Sequence, residues 1–452
     1  QVESVTPVSH ATLATGSVPR KHGIIGFEWR DVQTGQESMD GWDQTLRPSP
    51  IEHDLATHHS ISLAEAVKAA DRSATVVSLS SEKVYAADAF GGPAADYILY
   101  HRWAGGGKLL PSAVPGHAPP EDFFHHPHLR ASRPLKRFTQ WDYLSGLLAL
   151  TALDAYRPKL MLVNLPGADC YGHPYGGPAT PAVMRQIVAG LDRNIGRVVR
   201  AYRDAGIYDR TLFIVVGDHG MAPNFHMISD AAMRAAVARG GGNHWFHLGG
   251  TASFIYLHDP PKAWSVAESV LQMPAVVAAY HHVRSRDGDE FHPVSNRIDP
   301  NLDAAYRYLL RTFAGPEGPD VAAPFREQTI GRTASHAYGH HGGLNWGVQH
   351  VPLILSGPGI HQGKRSDFPA RLIDVAPTVL RALGLPQHKA DGLVLADSLG
   401  SGTAREVGAQ RAIMGELTRY QDALIARSLA DVEEDRRKGV RPPPSLPPNP
   451  NA

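Results

Sequence analysis

Four short apolar runs, at residues 74–79, 159–165, 211–216 and 351–355, constrain this chain more than any other feature. Each is continuous in hydrophobicity, not alternating, which is the pattern of a strand covered on both faces. Helical patterns lie between them. Ser62, with Glu65 three residues later, forms a capping box ahead of a helical stretch at 63–70. Thr180 and Pro181 suit the N-cap and first position of a long helix. That helix has Val183, Ile187, Leu191, Ile195 and Val198 on one face and stops near Gly206. Strand–helix–strand alternation predicts an α/β fold, a doubly wound, mostly parallel sheet flanked by helices.

Two regions break that rhythm. Residues 84–140 are rich in Gly, Pro and His, and 226–335 hold a strand-like piece at 252–257, a helix and several loops. Both are expected to decorate the sheet and wall the active site. The core is expected to be complete after Gly384, Leu385 and Pro386. This gives a catalytic domain over 1–400, then a charged, loosely amphipathic helix at 405–437 and a disordered Pro-rich tail at 441–452 within 401–452.

Charge and cysteine content remove several function classes. Forty-four basic side chains balance forty-four acidic ones, so no basic field points to a nucleic-acid polymer. With Cys170 as the one cysteine, neither a disulfide within the chain nor a multi-thiolate zinc site can form. Any metal has to be held by His and Asp. The most apolar stretch, 143–165, carries Asp154, Arg157 and Lys159 and reads as two elements of a globular fold, not a membrane span.

The informative polar residues cluster at the ends of the expected strands. The run 159–165 leads into Asp169, Cys170 and His173. The run 211–216 leads into Gly217, Asp218, His219 and Gly220. Gly339, His340, His341 and Gly342 come just before 351–355. Open α/β sheets bind ligands beyond the C-terminal ends of their strands. Asp169, His173, Asp218, His219 and His341 are ligand types that suit zinc in a bimetallic site. Near the start, Thr6 and Pro7 read as N-cap and first residue of a helix stopped by Gly16. A threonine hydroxyl there faces free backbone N–H groups and the positive helix end, a cradle for a phosphoryl group. The side chains His10 and His22 read as orienting local turns, Cys170 as a small buried side chain, and His125, His126, His281 and His282 as loop residues.

Residues 6–26 (TPVSHATLATGSVPRKHGIIG) resemble the nucleophile region of the type I phosphodiesterase/nucleotide pyrophosphatase family, in the threonine branch of the alkaline phosphatase superfamily. The resemblance continues through DCYGH, GDHGM, HHGG and LIDVAPTVLRALGL, over roughly 4–385. It implies one zinc on Asp169, His173 and His341, and a second on Asp218, His219 and Thr6, with manganese or another divalent ion as alternatives. It further implies attack by Thr6 on a small phosphoester or nucleotide-like substrate through a phosphothreonine intermediate. Relatives of this kind are mostly exported, so a periplasmic or extracellular location is expected.

Three departures from the family pattern matter. The pattern has an aspartate at the end of a first core strand, upstream of the nucleophile. Only five residues precede Thr6, so that strand is expected to lie upstream of Gln1, the other reading being an inactive protein. Phe27 stands where the family often has an asparagine that contacts a phosphoryl oxygen. Lys83 matches a Lys-x-Arg pair of the phosphate-monoester branch, but Tyr85 replaces the arginine and removes a bidentate clamp. Phe27, Lys83 and Tyr85 are therefore the expected substrate-binding residues, with diesters or nucleotide pyrophosphates slightly ahead of monoesters. Phosphonate, sulfate or phosphoethanolamine chemistry on the same fold is the alternative. The formylglycine type of sulfatase is excluded, because it needs Cys or Ser followed by x-Pro-x-Arg where this chain has Thr6-Pro7-Val8-Ser9. A cofactor-independent phosphoglycerate mutase is disfavoured, because it uses a serine and another ligand spacing.

Overall fold

The structure is a computed structural model that describes residues 4–31, 37–39, 49–104, 108–130, 140–286, 288–331 and 338–441. The Pro-rich tail beyond Arg441 lies outside the described residues. Strand Val76–Leu79, buried throughout, pairs in parallel with Tyr97–Ala104 on one side and Leu160–Val163 on the other. Lys108–Ala113 adds an antiparallel edge beside Tyr97–Ala104. Segment 84–140 thus supplies two strands of the main sheet as well as peripheral structure.

The other two apolar runs correct the parallel reading. Strands Phe213–Val216 and Leu353–Ser356 pair with each other, antiparallel, in a separate two-stranded sheet. The cause is what the pattern encodes: continuous hydrophobicity reports cover on two faces, not strand direction. Even the cover is partial, since Phe213–Val216 is half-buried and Ile354 is 57% exposed. Both sheets lie on one apolar cluster. Leu160, Ile214, Val216 and Leu353 pack against Leu13, Leu63, Val375, Val379 and Leu380. The result is an α/β fold with a mixed central sheet flanked by helices.

Local signals hold well. The capping box of Ser62 and Glu65 opens helix Leu63–Ala70, with Glu65 N–H donating to Ser62 Oγ. The long helix runs Pro181–Asp204 with Thr180 as N-cap, although Thr180 Oγ1 donates to Tyr175 O and makes no capping bond. The expected strand is present as Ala252–Leu257.

Residues 226–331 hold more order than expected. Five antiparallel strands run in the order His244–Gly249, Ala252–Leu257, Val321–Pro324, Tyr280–Val283, Glu290–Pro293. His281 and His282 lie on the fourth of these, not in a loop, and His282 is buried with Nδ1–H donating to Pro319 O. Helices Asp230–Arg239 and Ala263–Leu271 carry the core on one face of this sheet, and Pro300–Arg311 on the other. The core also continues past Pro386. The charged helix, Ala404–Arg437, packs on Pro300–Arg311 and buries Leu417 and Leu424.

Candidate active site and metal centre

The N-terminal helix spans Thr6–Thr15, with Val5 extended at its N-cap and Gly16 left-handed (φ 66°) at its end. Thr6 is thus one position inside the helix, not at its cap. Its hydroxyl is left for the site: Oγ1 lies 3.3 Å from His219 Nε2 and 3.5 Å from Lys83 Nζ. Thr6 itself is buried.

Asp169 and His173 sit four residues apart on helix Gly167–Tyr175, and so share a face. The start of that helix is held by Asp142, which accepts from Gly167 N–H at 2.7 Å, while burial pushes the Asp142 carboxyl up to about 6. Asp218 and His219 follow strand Phe213–Val216, and His341 follows the short strand Gly339–His340. These three segments converge. Asp169 Oδ1 lies 3.1 Å from His341 Nε2, 3.3 Å from His173 Nε2 and 3.8 Å from His219 Nε2. His219 Nε2 is also 3.5 Å from Asp218 Oδ2. The five expected ligands and Thr6 therefore form one cluster, with His219 close to both expected sets.

The outer hydrogen bonds bear on whether the cluster could hold a metal ion. His173, His219 and His341 each contact a backbone carbonyl through Nδ1: Gly339 O at 2.9 Å, Gly220 O at 3.0 Å and Ser4 O at 3.0 Å. A carbonyl only accepts, so each Nδ1 carries a proton, and in a neutral ring each Nε2 then presents a lone pair. Three lone pairs thus face a carboxylate oxygen that is buried without a hydrogen-bond donor among the described residues. Acceptors facing acceptors repel unless a cation lies between them. Two donors on one tetrahedral zinc, at about 2.0–2.2 Å from it, stand about 3.3–3.5 Å apart, and the observed separations bracket that value. The residues fit a bound divalent ion, and the carbonyl partners are the outer contacts that orient metal-binding imidazoles.

Protonation states agree. Burial, then His219, push the His341 imidazole down to about 3, which keeps it neutral and able to ligate. Burial alone would raise Asp169, but the Lys83 ammonium holds its carboxyl well below the usual range. Burial likewise opposes the Lys83 charge, yet Asp169, with which it forms an ion pair, raises its pKa well above the ordinary value. The Asp218 carboxyl is also held below the usual range, with the Lys83 charge acting against burial.

Phe27 and Tyr85 meet edge to face, ring centroids 5.2 Å apart, and both pack against Val5, Val8 and Ile24. Burial raises the Tyr85 hydroxyl pKa against the pull of Lys83, so the tyrosine stays neutral. Cys170 is not a nucleophile of this site, because burial pushes its thiol far up.

Three residues have a larger part in the site than the sequence reading gave them: His10, read as orienting a turn, His340, read as the neighbour of a ligand that a one-residue slip would exchange with His341, and Asn164, which was not singled out. His10 does more than orient a turn. Its Nδ1 donates to Thr6 O at 2.8 Å, its Nε2 accepts from Asn164 Nδ2 at 3.1 Å, and it lies 3.7 Å from Asp218. Asn164, at the end of strand Leu160–Val163, completes that chain of contacts. His340 falls in a donor group with His173 and His341, although its Nδ1 accepts from His341 N–H. Their signal was position alone, four residues after Thr6, at a strand end and beside a ligand. His22 keeps its expected local role, with contacts to Thr12 Oγ1 at 3.0 Å and Ile24 N at 3.1 Å.

An α/β sheet with an imidazole–carboxylate cluster beside a helix-borne threonine defines the class of protein. The sequence profile of the type I phosphodiesterase / nucleotide pyrophosphatase family matches residues 1–328, and the chain belongs to that family. Among solved structures, the alkaline phosphatase PafA superposes with TM-score 0.65 at 17% identity, over 88% of this chain and 90% of that one. Murine ectonucleotide pyrophosphatase/phosphodiesterase 5 superposes with TM-score 0.55 at 14% identity, over 86% and 87%. At these identities the likeness is one of fold. Sequence matches to curated proteins are partial. Alkaline phosphatase PafA of Elizabethkingia meningoseptica is 36% identical over 59 residues, 13% of this chain and 11% of that protein. Arylsulfatase K of Danio rerio is 46% identical over 41 residues, 9% and 8%. Alkaline phosphatase PhoD of Zymomonas mobilis is 23% identical over 262 residues. The chain spans less than half the length of each of these curated relatives.

Proposed function

We propose that this chain hydrolyses small phosphoesters, diesters and nucleotide pyrophosphates ahead of monoesters, with Thr6 as nucleophile beside a pair of divalent ions, zinc first. The observation that carries the reading is the orientation of His173, His219 and His341. Each is tied by Nδ1–H to a carbonyl with Nε2 turned toward Asp169 or Thr6. Asp169, His173 and His341 would hold one ion, and Asp218, His219 and Thr6 the other. Bound there, the ions supply Lewis acidity toward a phosphoryl oxygen and lower the pKa of a hydroxyl.

The chain's own groups then do the following. Thr6 Oγ1 attacks phosphorus as the bond to the departing oxygen breaks, giving a phosphothreonine that keeps any second substituent on phosphorus, while the hydroxyl proton ends on the free alcohol or nucleotide or in solvent. Water then cleaves the phosphothreonine and restores the hydroxyl. Lys83, charged and 3.5 Å from Thr6 Oγ1, meets the negative phosphoryl oxygens. The neutral Phe27–Tyr85 pair offers no cation to the extra charge of a monoester and suits an esterified, apolar substituent. Export across a membrane belongs to the same reading. No helix among the described residues is long and apolar enough to cross one.

A kinetic panel tests this: p-nitrophenyl phosphate, its bis ester, a nucleotide pyrophosphate and an aryl sulfate. The account expects the bis ester and the pyrophosphate to lead. The local match to an arylsulfatase is why the sulfate is included, and a lead for it would replace phosphoester with sulfate-ester chemistry. Tyr85→Arg should move the ratio of kcat/KM toward the monoester about tenfold or more, since a charge-assisted hydrogen bond contributes about 1.5–3 kcal/mol. An unchanged ratio would remove Tyr85 from the substrate site.

A further inference from the structure

We propose a second, separate metal site on the surface, formed by His126, His128 and Asp154. The two histidines flank Pro127, at the junction of the Glu121–His125 turn and the Pro127–Arg130 helix, and Asp154 comes from the long helix Gln140–Tyr156. Asp154 Oδ2 lies 3.0 Å from His128 Nε2 and 3.9 Å from His126 Nε2, and the two rings are 5.0 Å apart. One donor atom from each residue falls within 4.8 Å of the other two. His128 and Asp154 share a hydrogen bond at 3.0 Å, and the two imidazole–carboxylate separations lie on either side of the edge of about 3.3–3.5 Å that two donors on a tetrahedral zinc define.

The donor set is two imidazoles and a carboxylate, which selects a first-row divalent ion such as zinc over calcium or magnesium. Side-chain exposures of 26%, 38% and 51% leave room for water in a fourth position. Binding through Nε2 puts the His126 proton on Nδ1. The ring then gives up its contact with His128 N–H, which at 3.4 Å is long and weak.

This site is not part of the buried cluster. Asp154 lies twelve residues past Asp142 on one helix, roughly 18 Å along the axis at 1.5 Å per residue, and Asp142 is the residue that holds the Asp169 helix. The consequence is structural. Residues 121–130 already seat Phe123 and Leu129 against Leu144, Leu147 and Leu148 of the long helix. An ion shared by His126, His128 and Asp154 ties the same two pieces together at their polar edge. It stabilises the folded chain by mass action, because the unfolded chain does not bring the three donors together.

The test is zinc content after equilibrium dialysis of the full chain, with thermal melts at matched free zinc. His128→Ala and Asp154→Asn should each bind one zinc fewer than wild type and lose part of the zinc-dependent rise in Tm, with phosphoester turnover unchanged. Asp154 is half-exposed, so its replacement keeps the measurement readable if His128→Ala folds poorly. The same difference should persist in an Asp169→Asn background, which separates this site from the proposed catalytic ions. Equal zinc content in wild type and both variants would overturn the proposal. A loss of turnover in step with the lost zinc would overturn it too, by placing that ion in the active site.

Discussion

At the scale of single residues, the candidate site depends on close backbone approach as much as on its ligands. Gly220 follows His219, and a Cβ built there would stand 2.1 Å from Gly347 O. That neighbour is backbone and cannot swing aside. Gly220→Ala should therefore shift the Asp218–His219 loop, destabilise the fold by about 1–3 kcal/mol, and reduce bound zinc. Denaturant midpoints together with metal analysis check both effects, and a variant with wild-type zinc would show that the loop tolerates the shift. His22 makes a different kind of prediction. Burial, then His58, push its imidazole down to about 3, so the folded chain keeps it neutral where the unfolded chain takes up a proton. Its contribution is complete above the ordinary pKa of 6.5 and is lost progressively as pH falls toward 3. Between pH 6 and pH 4 this one group should cost about 1.4 kcal/mol per pH unit. His22→Gln should flatten the fall of the urea midpoint over that window by the corresponding amount, and an unchanged slope would place the proton uptake elsewhere. The Asp and His residues that converge here were legible in the sequence because three clusters of them recur in the order of the family pattern, although each cluster alone is a weak signal. His10 and Asn164 were not, since they act through hydrogen bonds to Thr6 O and to each other, and no spacing rule encodes those.

At the scale of elements, the C-terminal helix shows where sequence reading ran out. Its extent was plain from composition, and Thr403 with Glu406 caps it as a capping box should. Its role was not, because its inward stripe is partly polar. Gln410, Leu417, Leu424 and Asp431 are buried at seven-residue intervals. Asp431 and Asp435 are satisfied by Arg326, Arg427, Glu327 N–H and His226, all but Arg427 far away in sequence. A hydrophobicity pattern cannot show carboxylates paired in this way. Leu424→Ala should destabilise the fold by about 2–5 kcal/mol, read as a lower urea midpoint. A cost below 1 kcal/mol would mean that the helix is peripheral. The same limit applies to the antiparallel pair Phe213–Val216 and Leu353–Ser356, since strand direction is set by partners more than a hundred residues away.

In the whole molecule, the site joins parts of the chain that lie far apart in sequence. Thr6 comes from the N-terminal helix, Asp169 and His173 from one sheet's edge, Asp218 and His219 from the other, and His341 from a later return of the chain. An ion among them would act as a cross-link between these parts. Chelation should therefore lower Tm and restored zinc should raise it again, with Asp169→Asn abolishing most of the response. A Tm indifferent to chelator would mean that the cluster is held without metal.

Attack by Thr6 is tested by trapping the enzyme during turnover of the bis ester or a nucleotide pyrophosphate. Acid quenching and peptide mass analysis then locate any phosphoryl group. The account predicts a phosphoryl adduct on Thr6, absent from Thr6→Ala together with turnover. Full turnover by Thr6→Ala, or a trapped phosphoryl group on a different residue, would contradict it.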